Sequence, residues 1–250
     1  MWMKNRSIQE NLADRLKIKF PDIQDLLNKF QEVVVTKKAD GSPVTELDLA
    51  LSSFIEDFAK THYPDHCFYS EENFTEMNFP LLALDPLDGT REYINGSPEW
   101  AMSIGLFNSA AFEGEGWVYN PVRGEVYSEG DNPFHAKASY RGEVSRSEWE
   151  SGLFKNLQSQ KFHLEPMGSI AYKLGRLSHG ECDFVVSLRP KNIWDIAGGS
   201  LLCRDTGIKL YSNGKEINEV KPLYGAPLIW CHPEIKNELF ELFPPKGKSN

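Results

Sequence analysis

The segment Leu81-Leu82-Ala83-Leu84-Asp85-Pro86-Leu87-Asp88-Gly89-Thr90 joins an apolar run to two closely spaced carboxylates. A short apolar run bounded by turn signals predicts a buried strand that ends at Asp85. Asp85 and Asp88 then lie on one tight turn, where both side chains can converge on a single point. Carboxylates this close repel each other, and a divalent cation is the usual partner that relieves the repulsion. The N–H groups of Gly89 and Thr90, at the start of a predicted helix, favour an anion beside that metal, which indicates phosphate chemistry.

Length and charge limit the classes of protein to consider. The chain has 250 residues, 40% of them apolar, which is enough for one large domain or for two domains that share a cleft. Its net charge is −9, with 27 basic and 36 acidic residues, and this balance argues against a nucleic-acid polymer or an anionic membrane as the main partner. A small anionic substrate stays compatible with it, because metals and a few local basic residues can reverse the field inside a cleft.

The cysteines and the first residues indicate the compartment. The four cysteines lie far apart and form no C-x-x-C pair, so we expect free thiols in a reducing compartment. The start of the sequence has no apolar core of signal-peptide length, and no run of about 18 apolar residues occurs. We therefore expect a soluble cytoplasmic protein.

Apolar periodicity and turn signals predict alternating helices and strands. Helices are expected over Ile8–Phe20 (ended by Pro21), Ile23–Phe30, Thr45 to Pro64, Thr90–Ile94, Glu148–Leu157, Ser169–Gly180, Ile193–Gly207 and at the chain end. Strands are expected at Val33–Val35, Cys67–Tyr69, Leu81–Leu84, Trp100–Phe107, Gly116–Tyr119, Gly124–Tyr127, Val144–Arg146 and Cys182–Leu188, followed by about three short ones. The order lacks the regular βαβ rhythm of a dinucleotide-binding domain, so we expect layered sheets and helices. The stretch from residue 130 to 142 has Pro133 and few large apolar residues, so we expect a boundary there between residues 1–132 and 133–250.

Four acidic residues lie at element ends: Glu71, Asp85, Asp88 and Asp195. Oxygen ligands without histidine or cysteine in metal spacing favour Mg²⁺ or Mn²⁺ over zinc. Each residue has an ordinary structural alternative, since an Asp-Pro turn is often only a turn and a Trp-Asp pair at a helix start is usually an N-cap. The pair Thr45 and Asp48 is likewise more often a capping box than a catalytic pair. Their joint order along the chain is what favours function.

That order resembles the inositol monophosphatase superfamily. The resemblance rests on Asp85-Pro86-Leu87-Asp88-Gly89-Thr90, on Glu71-Glu72 before it, and on Trp194-Asp195-Ile196-Ala197-Gly198 far downstream. The branch of 3'(2'),5'-bisphosphate nucleotidases is the most similar, through Thr90–Ile94, Val144–Ser147, Gly168-Ser169 and Asn192–Asp195. The resemblance implies an α+β layered αβαβα sandwich of the sugar-phosphatase type and a Mg²⁺-dependent, lithium-sensitive phosphatase of small phosphomonoesters.

The resemblance also implies a metal-ligand set. Glu71, Asp85 and the carbonyl of Leu87 would hold one Mg²⁺. Asp85, Asp88 and Asp195 would hold a second, with Asp85 bridging, and a third, weaker ion near Glu71 is compatible with the pattern. Mn²⁺ can substitute. A metal pair about 4 Å apart neutralises phosphoryl charge and lowers the pKa of bound water.

The remaining roles implied by the resemblance concern phosphate, water and substrate. Asp88, Gly89 and Thr90 would contact the phosphate, while Asp48, Thr90 and Glu71 would serve catalysis, with the Asp48–Thr90 pair orienting or deprotonating the attacking water. Glu72 has the less certain role of the two glutamates. Substrate contacts are expected from Gly168, Ser169, Lys173, Arg189, Lys191 and Asp195.

The loop before the Trp-Asp pair bears on the substrate. The inositol-preferring branch has an acidic residue there, whereas this sequence has Ser187-Leu188-Arg189-Pro190-Lys191-Asn192, with two bases and no acid. Arg189 and Lys191, with Lys173, suit a second anionic group, although a solvated loop is the alternative. We therefore expect hydrolysis of adenosine 3',5'-bisphosphate to AMP by metal-activated water. Inositol 1-phosphate or a sugar phosphate such as fructose 1,6-bisphosphate is the second expectation.

Two further classes are weighed against this. An aspartyl-phosphate phosphatase of the haloacid-dehalogenase type needs a nucleophile two positions before Asp88, and Pro86 occupies that place. A non-catalytic metal- or phosphate-binding regulator is not favoured, since the acids and Thr90 are all present. The expected partner is a small phosphorylated metabolite, with a homodimer as an open expectation.

Overall fold

The computed structural model describes residues 11–30, 32–37, 43–73, 76–157 and 159–245. Its helices are α1 (Leu12–Lys17), α2 (Phe20–Lys29), α3 (Glu46–His62), α4 (Thr90–Ile94), α5 (Arg146–Glu150), α6 (Ile170–Ser178), α7 (Ile193–Asp205) and α8 (Lys236–Leu242). Its strands are β1 (Val35–Lys37), β2 (Pro43–Thr45), β3 (Cys67–Ser70), β4 (Leu81–Asp88), β5 (Ala101–Phe107), β6 (Gly114–Asn120), β7 (Glu125–Tyr127), β8 (Tyr140–Ser145), β9 (Phe162–Met167), β10 (Phe184–Ser187), β11 (Lys191–Asn192), β12 (Lys209–Ser212), β13 (Lys215–Glu216), β14 (Leu223–Tyr224) and β15 (Leu228–Cys231).

Two large sheets carry the fold. The first has five strands in the order β3-β4-β5-β6-β7, and the second has six in the order β13-β12-β15-β10-β8-β9. Strand β3 runs parallel to β4, and the rest of the first sheet is antiparallel. In the second sheet, β8 runs parallel to both β9 and β10, so these three strands end at the same edge.

The buried side chains form layers between and outside the sheets. Helices α1, α2 and α3 pack on one face of the first sheet. Helices α6 and α7 fill the space between the two sheets, and α8 packs on the outer face of the second sheet. The sequence of layers is helix, sheet, helix, sheet, helix, which confirms the predicted αβαβα sandwich.

Helix α7 lies directly against the first sheet. A Cβ built on Gly105 would lie 2.5 Å from the Cβ of Ala197, and one built on Gly116 would lie 2.2 Å from the carbonyl oxygen of Gly198. Only glycine therefore permits this approach of strands β5 and β6 to the helix. Most of α7 is buried, because it has a sheet on either side, and the position of Asp195 is fixed by this packing.

Several predicted boundaries are confirmed. Thr45 and Asp48 form a capping box at the start of α3, which ends at His62, just before Pro64. The Oγ of Ser169 accepts a hydrogen bond from the N–H of Tyr172 and so caps α6. The predicted hairpin is the pair β6 and β7.

Other boundaries differ for physical reasons. Pro21 lies in the first turn of α2 instead of ending a helix, a position that needs no N–H donor; the predicted start at Ile8 lies outside the described residues. The first strand begins at Val35, and Arg146 starts α5 instead of ending a strand. The helix expected over Glu148–Leu157 stops at Glu150, after which the chain turns. Strand β9 was not predicted; it contains Pro166, which is tolerated because β9 is an edge strand.

No helix in the described part of the chain has the length and hydrophobicity needed to span a bilayer. The division at residues 132 and 133 stays a prediction.

Candidate active site

The geometry around Asp85 and Asp88 comes from a bulge in β4. Asp85 lies opposite Ser103 on β5 and Asp88 lies opposite Ala101, so three steps along β4 match two along β5. Side chains alternate between the faces of a regular strand, and residues three apart would point in opposite directions. The extra residue corrects this alternation. The predicted tight turn after the strand is therefore a bulged continuation of the strand itself.

Three carboxylates converge at this point of the fold. Oxygen atoms of Glu71, Asp85 and Asp195 lie within 4.8 Å of one another. Glu71 follows β3, where its N–H donates to the carbonyl of Leu84 (3.2 Å), and Asp195 lies in the first turn of α7, where its Oδ2 accepts from the N–H of Asn192 (2.9 Å). Three oxygen donors at this separation fit a hard divalent cation such as Mg²⁺.

The electrostatics of the cluster favour a cation as well. Burial raises the pKa of Asp85 well above its usual range, and the charges of Glu71, Asp88 and Asp195 raise it further. Burial also raises the pKa of Asp195 to about 7, although Lys191 partly offsets the effect. A bound divalent cation opposes both of these pKa shifts, because it favours the charged carboxylates.

Asp88 lies beside this cluster and outside the group of three. Its Oδ2 accepts hydrogen bonds from the Oγ of Ser169 and from the N–H of Ala171, both at 2.6 Å. Its charge raises the pKa of Asp85 and of Asp195, which places it close to both. Its predicted part in the second metal site stays a prediction.

Asp48 and Thr90 meet as the sequence predicted. The Oγ of Thr90 lies 3.2 Å from the Oδ1 of Asp48 and 3.3 Å from the carbonyl oxygen of Leu87. The Oδ2 of Asp48 accepts from the N–H of Thr45 (2.8 Å) and from its Oγ, so this carboxylate is both a helix cap and a neighbour of Thr90. Burial raises the pKa of Asp48 despite the hydrogen bonds from Thr45, and the charge of Glu71 adds to the effect. A capping box and a catalytic pair are thus compatible at one residue.

Gly89 closes the acidic segment in a left-handed conformation. Its φ is 98°, and a Cβ there would lie 3.0 Å from the Cβ of Trp100 and 3.2 Å from the carbonyl oxygen of Glu99. Both the backbone angle and the space require glycine. The chain can therefore turn sharply from Asp88 into α4.

A cavity of about 140 Å³ opens beside Asp88. Predicted site residues in its lining are Asp88, Gly89, Gly168, Ser169, Lys173 and Lys191. Larger grooves of about 460 and 490 Å³ lie elsewhere, lined mainly by apolar residues near Phe154 and by polar surface residues near Asn218, and none of the acidic cluster lines them in the described part of the chain.

The three predicted basic contacts differ in their surroundings. Lys191 lines the cavity and lies close enough to Asp195 to affect its pKa. Arg189 is exposed, and its N–H donates to the Oε1 of Glu148 (3.2 Å). Lys173 is buried, and its Nζ donates to three carbonyl oxygens of the chain. Their predicted contacts with substrate stay predictions.

A family model described as the inositol monophosphatase family matches residues 9–242. The chain belongs to this family. It is 28% identical to the 3'(2'),5'-bisphosphate nucleotidase CysQ of Escherichia coli K12 over 206 residues, which is 74% of this chain and 82% of that protein. It is 27% identical to inositol monophosphatase 1 of Solanum lycopersicum over 236 residues, covering 83% and 84%. The IMPase of Thermotoga maritima has the same fold, with a TM-score of 0.75 at 23% identity, covering 92% of this chain and 96% of that one.

Membership of the inositol monophosphatase family makes this chain a phosphatase. The family is metal-dependent, and the acidic cluster of Glu71, Asp85 and Asp195 is a group that can bind a metal. The relatives include an inositol monophosphatase and a bisphosphate nucleotidase, so family membership alone does not determine the substrate.

Six cavity residues of this family member were not predicted as site residues: Arg91, Glu92, Ser145, Ser147, Ile170 and Ser187. Two of them carry a signal that could have been used. Ser145 and Ser187 are the last residues of β8 and β10, which are parallel neighbours, and such strand ends meet at one edge of a sheet. Predicting that β8 and β10 are neighbours was the missing step.

Proposed function

We propose that this protein hydrolyses a 3'(2'),5'-bisphosphate nucleotide, with adenosine 3',5'-bisphosphate converted to AMP, in a Mg²⁺-dependent reaction. The observation that carries the proposal is the cluster of Glu71, Asp85 and Asp195 beside the hydrogen-bonded pair Asp48 and Thr90. A charged cluster and a polar pair at one place are what phosphoryl transfer to water requires.

The residues of the cluster are those that would hold the metal ions. Glu71, Asp85 and the Leu87 carbonyl are proposed for one Mg²⁺, and Asp85 with Asp88 and Asp195 for the second; a third, weaker ion near Glu71 and substitution by Mn²⁺ belong to the same proposal. When bound, such ions neutralise charge on the phosphoryl oxygens and lower the pKa of coordinated water.

Thr90 and Asp48 handle the proton in this proposal. When the Thr90 hydroxyl donates to the Oδ1 of Asp48, a lone pair of its Oγ faces away from that bond and can accept a proton from the attacking water. The hydroxyl proton then moves to the Oδ1 of Asp48. The raised pKa of Asp48 makes it a better proton acceptor than an ordinary aspartate, and the two hydrogen bonds from Thr45 keep it in place.

The cavity supports a substrate with a second polar group. Four serine hydroxyls line it together with the cations Arg91, Lys173 and Lys191 and the carboxylates of Asp88 and Glu92. Hydroxyl and cationic groups in one small cavity suit a second phosphate, or a ribose, near the phosphate that is hydrolysed. Hydroxyl groups also suit inositol or sugar phosphates, and the relatives include an inositol monophosphatase, so these are the second candidates.

The test compares phosphate release from matched concentrations of adenosine 3',5'-bisphosphate, inositol 1-phosphate and fructose 1,6-bisphosphate with Mg²⁺. We expect a preference for the nucleotide of about tenfold, which corresponds to about 1.4 kcal/mol. A preference for inositol phosphate would replace the substrate but keep the catalytic residues. Mg²⁺ binding without hydrolysis of any phosphate ester would favour a regulator.

Lys191 provides a sharper test. Lys191→Met should lower kcat/KM for adenosine 3',5'-bisphosphate by about tenfold and leave adenosine 3'-phosphate, which lacks the 5' phosphate, much less affected. Lys221→Met is the matched control, because Lys221 is an exposed lysine outside the cavity lining. Equal losses for both substrates would remove the proposed contact between Lys191 and a second phosphate.

A cytoplasmic location and a homodimer are part of the same proposal. The free cysteines Cys67, Cys182, Cys203 and Cys231 are in keeping with a reducing compartment.

A further inference from the structure

The turn before α6 is held by a lysine from inside the molecule. Lys173 is 1% exposed, and its Nζ lies 3.1 Å from the carbonyl oxygen of Met167, 3.1 Å from that of Gly168 and 2.7 Å from that of Ser169. An ammonium group has three hydrogens to donate. Three successive carbonyls can therefore take all three, and the carbonyls of the turn are directed toward one buried point.

The other side of the turn is fixed by Glu99. The N–H of Gly168 donates to the Oε2 of Glu99 (2.8 Å), and the same carboxylate is paired with Arg146. A Cβ on Gly168 would lie 2.3 Å from the Cγ of Glu92, so the turn also packs closely against the Glu92 side chain. Ser169 has a φ of 47°, which residues with a side chain seldom adopt without support.

This arrangement directs two hydrogen-bond donors toward the carboxylate of Asp88. The Oγ of Ser169 and the backbone nitrogen of Ala171 both lie 2.6 Å from the Oδ2 of Asp88. The Oγ of Ser169 donates its one proton to Asp88 and accepts from the N–H of Tyr172 with a lone pair, so both bonds form at the same time. The carboxylate of Asp88 is thereby held in one orientation.

We propose that Lys173 is a positioning residue that orients the Asp88 carboxylate toward the metal site through the Met167–Ser169 turn. The proposal rests on the proposed function, since it takes Asp88 as a metal ligand. It gives Lys173 a different task from the substrate contact that its sequence position suggested. Partners of metal ligands commonly set metal affinity in this way.

The surroundings of Lys173 explain why a cation is tolerated there. Burial lowers the pKa of Lys173 to about 8, and the charges of Asp88, Glu143 and Glu92 oppose this effect while Lys191 adds to it. Arg176, one turn later on α6, provides a contrast, because it pairs with Glu143 and Glu181 and none of its hydrogen bonds in the described chain reaches the turn. The two residues therefore separate an effect on the turn from an effect on the helix.

The experiment is Mg²⁺ binding by calorimetry to the full chain, which does not depend on hydrolysis. Lys173→Met should raise the Kd for Mg²⁺ by about tenfold. Arg176→Met should leave it within about twofold of the wild-type value, because Arg176 makes no hydrogen bond to the turn. Thermal unfolding of all three proteins shows whether they are folded. A folded Lys173→Met protein with wild-type Mg²⁺ affinity overturns the inference, and so does an equal loss in Arg176→Met.

Ser169→Ala keeps the proposal testable if Lys173→Met does not fold. This change removes the Oγ donor to Asp88 and should itself raise the Kd for Mg²⁺; an unchanged Kd overturns the inference. Where both variants fold, the double variant should lose less than the product of the two single losses, because both act through one turn.

Kinetics separate positioning from direct substrate contact. With positioning, Lys173→Met lowers kcat at limiting Mg²⁺ and leaves the ratio of kcat/KM for adenosine 3',5'-bisphosphate to adenosine 3'-phosphate unchanged. A selective loss for the bisphosphate would instead assign Lys173 to the substrate and overturn the inference. A wild-type protein that binds no Mg²⁺ would remove the proposed function itself.

Discussion

Asp85 is 1% exposed and lies beside three other carboxylates, so its charge opposes folding of the metal-free protein. Groups that serve a binding site often cost stability when the ligand is absent, because they are arranged for the ligand. The Oδ1 of Asp85 also accepts the N–H of Leu87 (3.0 Å), which shows that one oxygen has a structural use. These two roles can be separated by removing the charge and keeping the oxygen.

Asp85→Asn is expected to abolish Mg²⁺-dependent phosphate release and to raise the unfolding temperature in chelator. The asparagine carbonyl can still accept from Leu87, while the repulsion with Glu71, Asp88 and Asp195 disappears. Activity and thermal unfolding of the same preparation provide the measurement.

Asp205→Asn is the control for that change, because Asp205 is an exposed aspartate at the far end of α7, away from the acidic cluster. It should retain activity. Turnover near the wild-type rate in Asp85→Asn would contradict the assignment of Asp85 to the metal site.

At the scale of elements, the bulge in β4 and the left-handed Gly89 act together. The bulge lets Asp85 and Asp88 approach the same site, and Gly89 then turns the chain into α4. The motif of two acids followed by Gly-Thr was sufficient to predict that a site lies here. The bulge itself was not predictable from it, because the extra residue is defined only by the pairing with β5, which is a long-range contact.

Gly89→Ala should destabilise the protein and reduce activity, whereas Gly96→Ala should only destabilise it. Both glycines have positive φ (98° and 69°), but nothing lies within 4 Å of a Cβ on Gly96, and Trp100 lies 3.0 Å from one on Gly89. The backbone term is about 1 kcal/mol for each, and Gly89→Ala adds a steric term. Urea unfolding and phosphate release measure the two effects; equal behaviour of the two variants would show that the contact with Trp100 is unimportant.

Candidate site residues could be predicted from the sequence where they belong to a local pattern at the start of a helix. The capping box of Thr45 and Asp48 is a local pattern, and so is the start of α7 at Asp195, so both were predicted. The cavity serines Ser145 and Ser187 end strands that are neighbours only in the folded sheet. Burial of Lys173 between two sheets likewise depends on the layers, and a lysine in a sequence normally indicates surface.

At the scale of the whole molecule, raised carboxyl pKa values link stability to pH. The pKa of Asp195 is about 7 in the folded chain and 3.8 when unperturbed. Between these values the folded protein binds more protons than the unfolded one, so the contribution of Asp195 to stability falls as pH rises. His66 and His232, whose pKa is lowered by burial, contribute in the opposite direction near pH 6.

In chelator, the wild-type protein should therefore lose stability relative to Asp195→Asn as pH rises from about 5.5 to 7.5. The histidine contribution is the same in both proteins, so it cancels in the difference between their free energies of unfolding. Saturating Mg²⁺ should stabilise the wild-type protein more at the higher pH, because binding requires the charged carboxylates. Thermal unfolding at several pH values is the measurement. A wild-type protein that gains stability relative to Asp195→Asn as pH rises would contradict the raised pKa of Asp195.

The layers themselves were predictable from the resemblance, whereas the arrangement of short strands near the C-terminus was not. Strands β11 to β14 have two to four residues each and little periodicity to recognise. Their places are determined by pairing with distant partners, such as β12 with β15.

The close seating of α7 on Gly105 and Gly116 has a consequence for synthesis of the chain. Asp195 reaches Glu71 and Asp85 only after α7 has entered the space between the sheets, and the second sheet includes strands made after it. A nascent chain that has released only its first half thus has two of the three carboxylates. An ion that needs all three carboxylates would therefore bind late, and metal occupancy would distinguish finished molecules from incomplete ones.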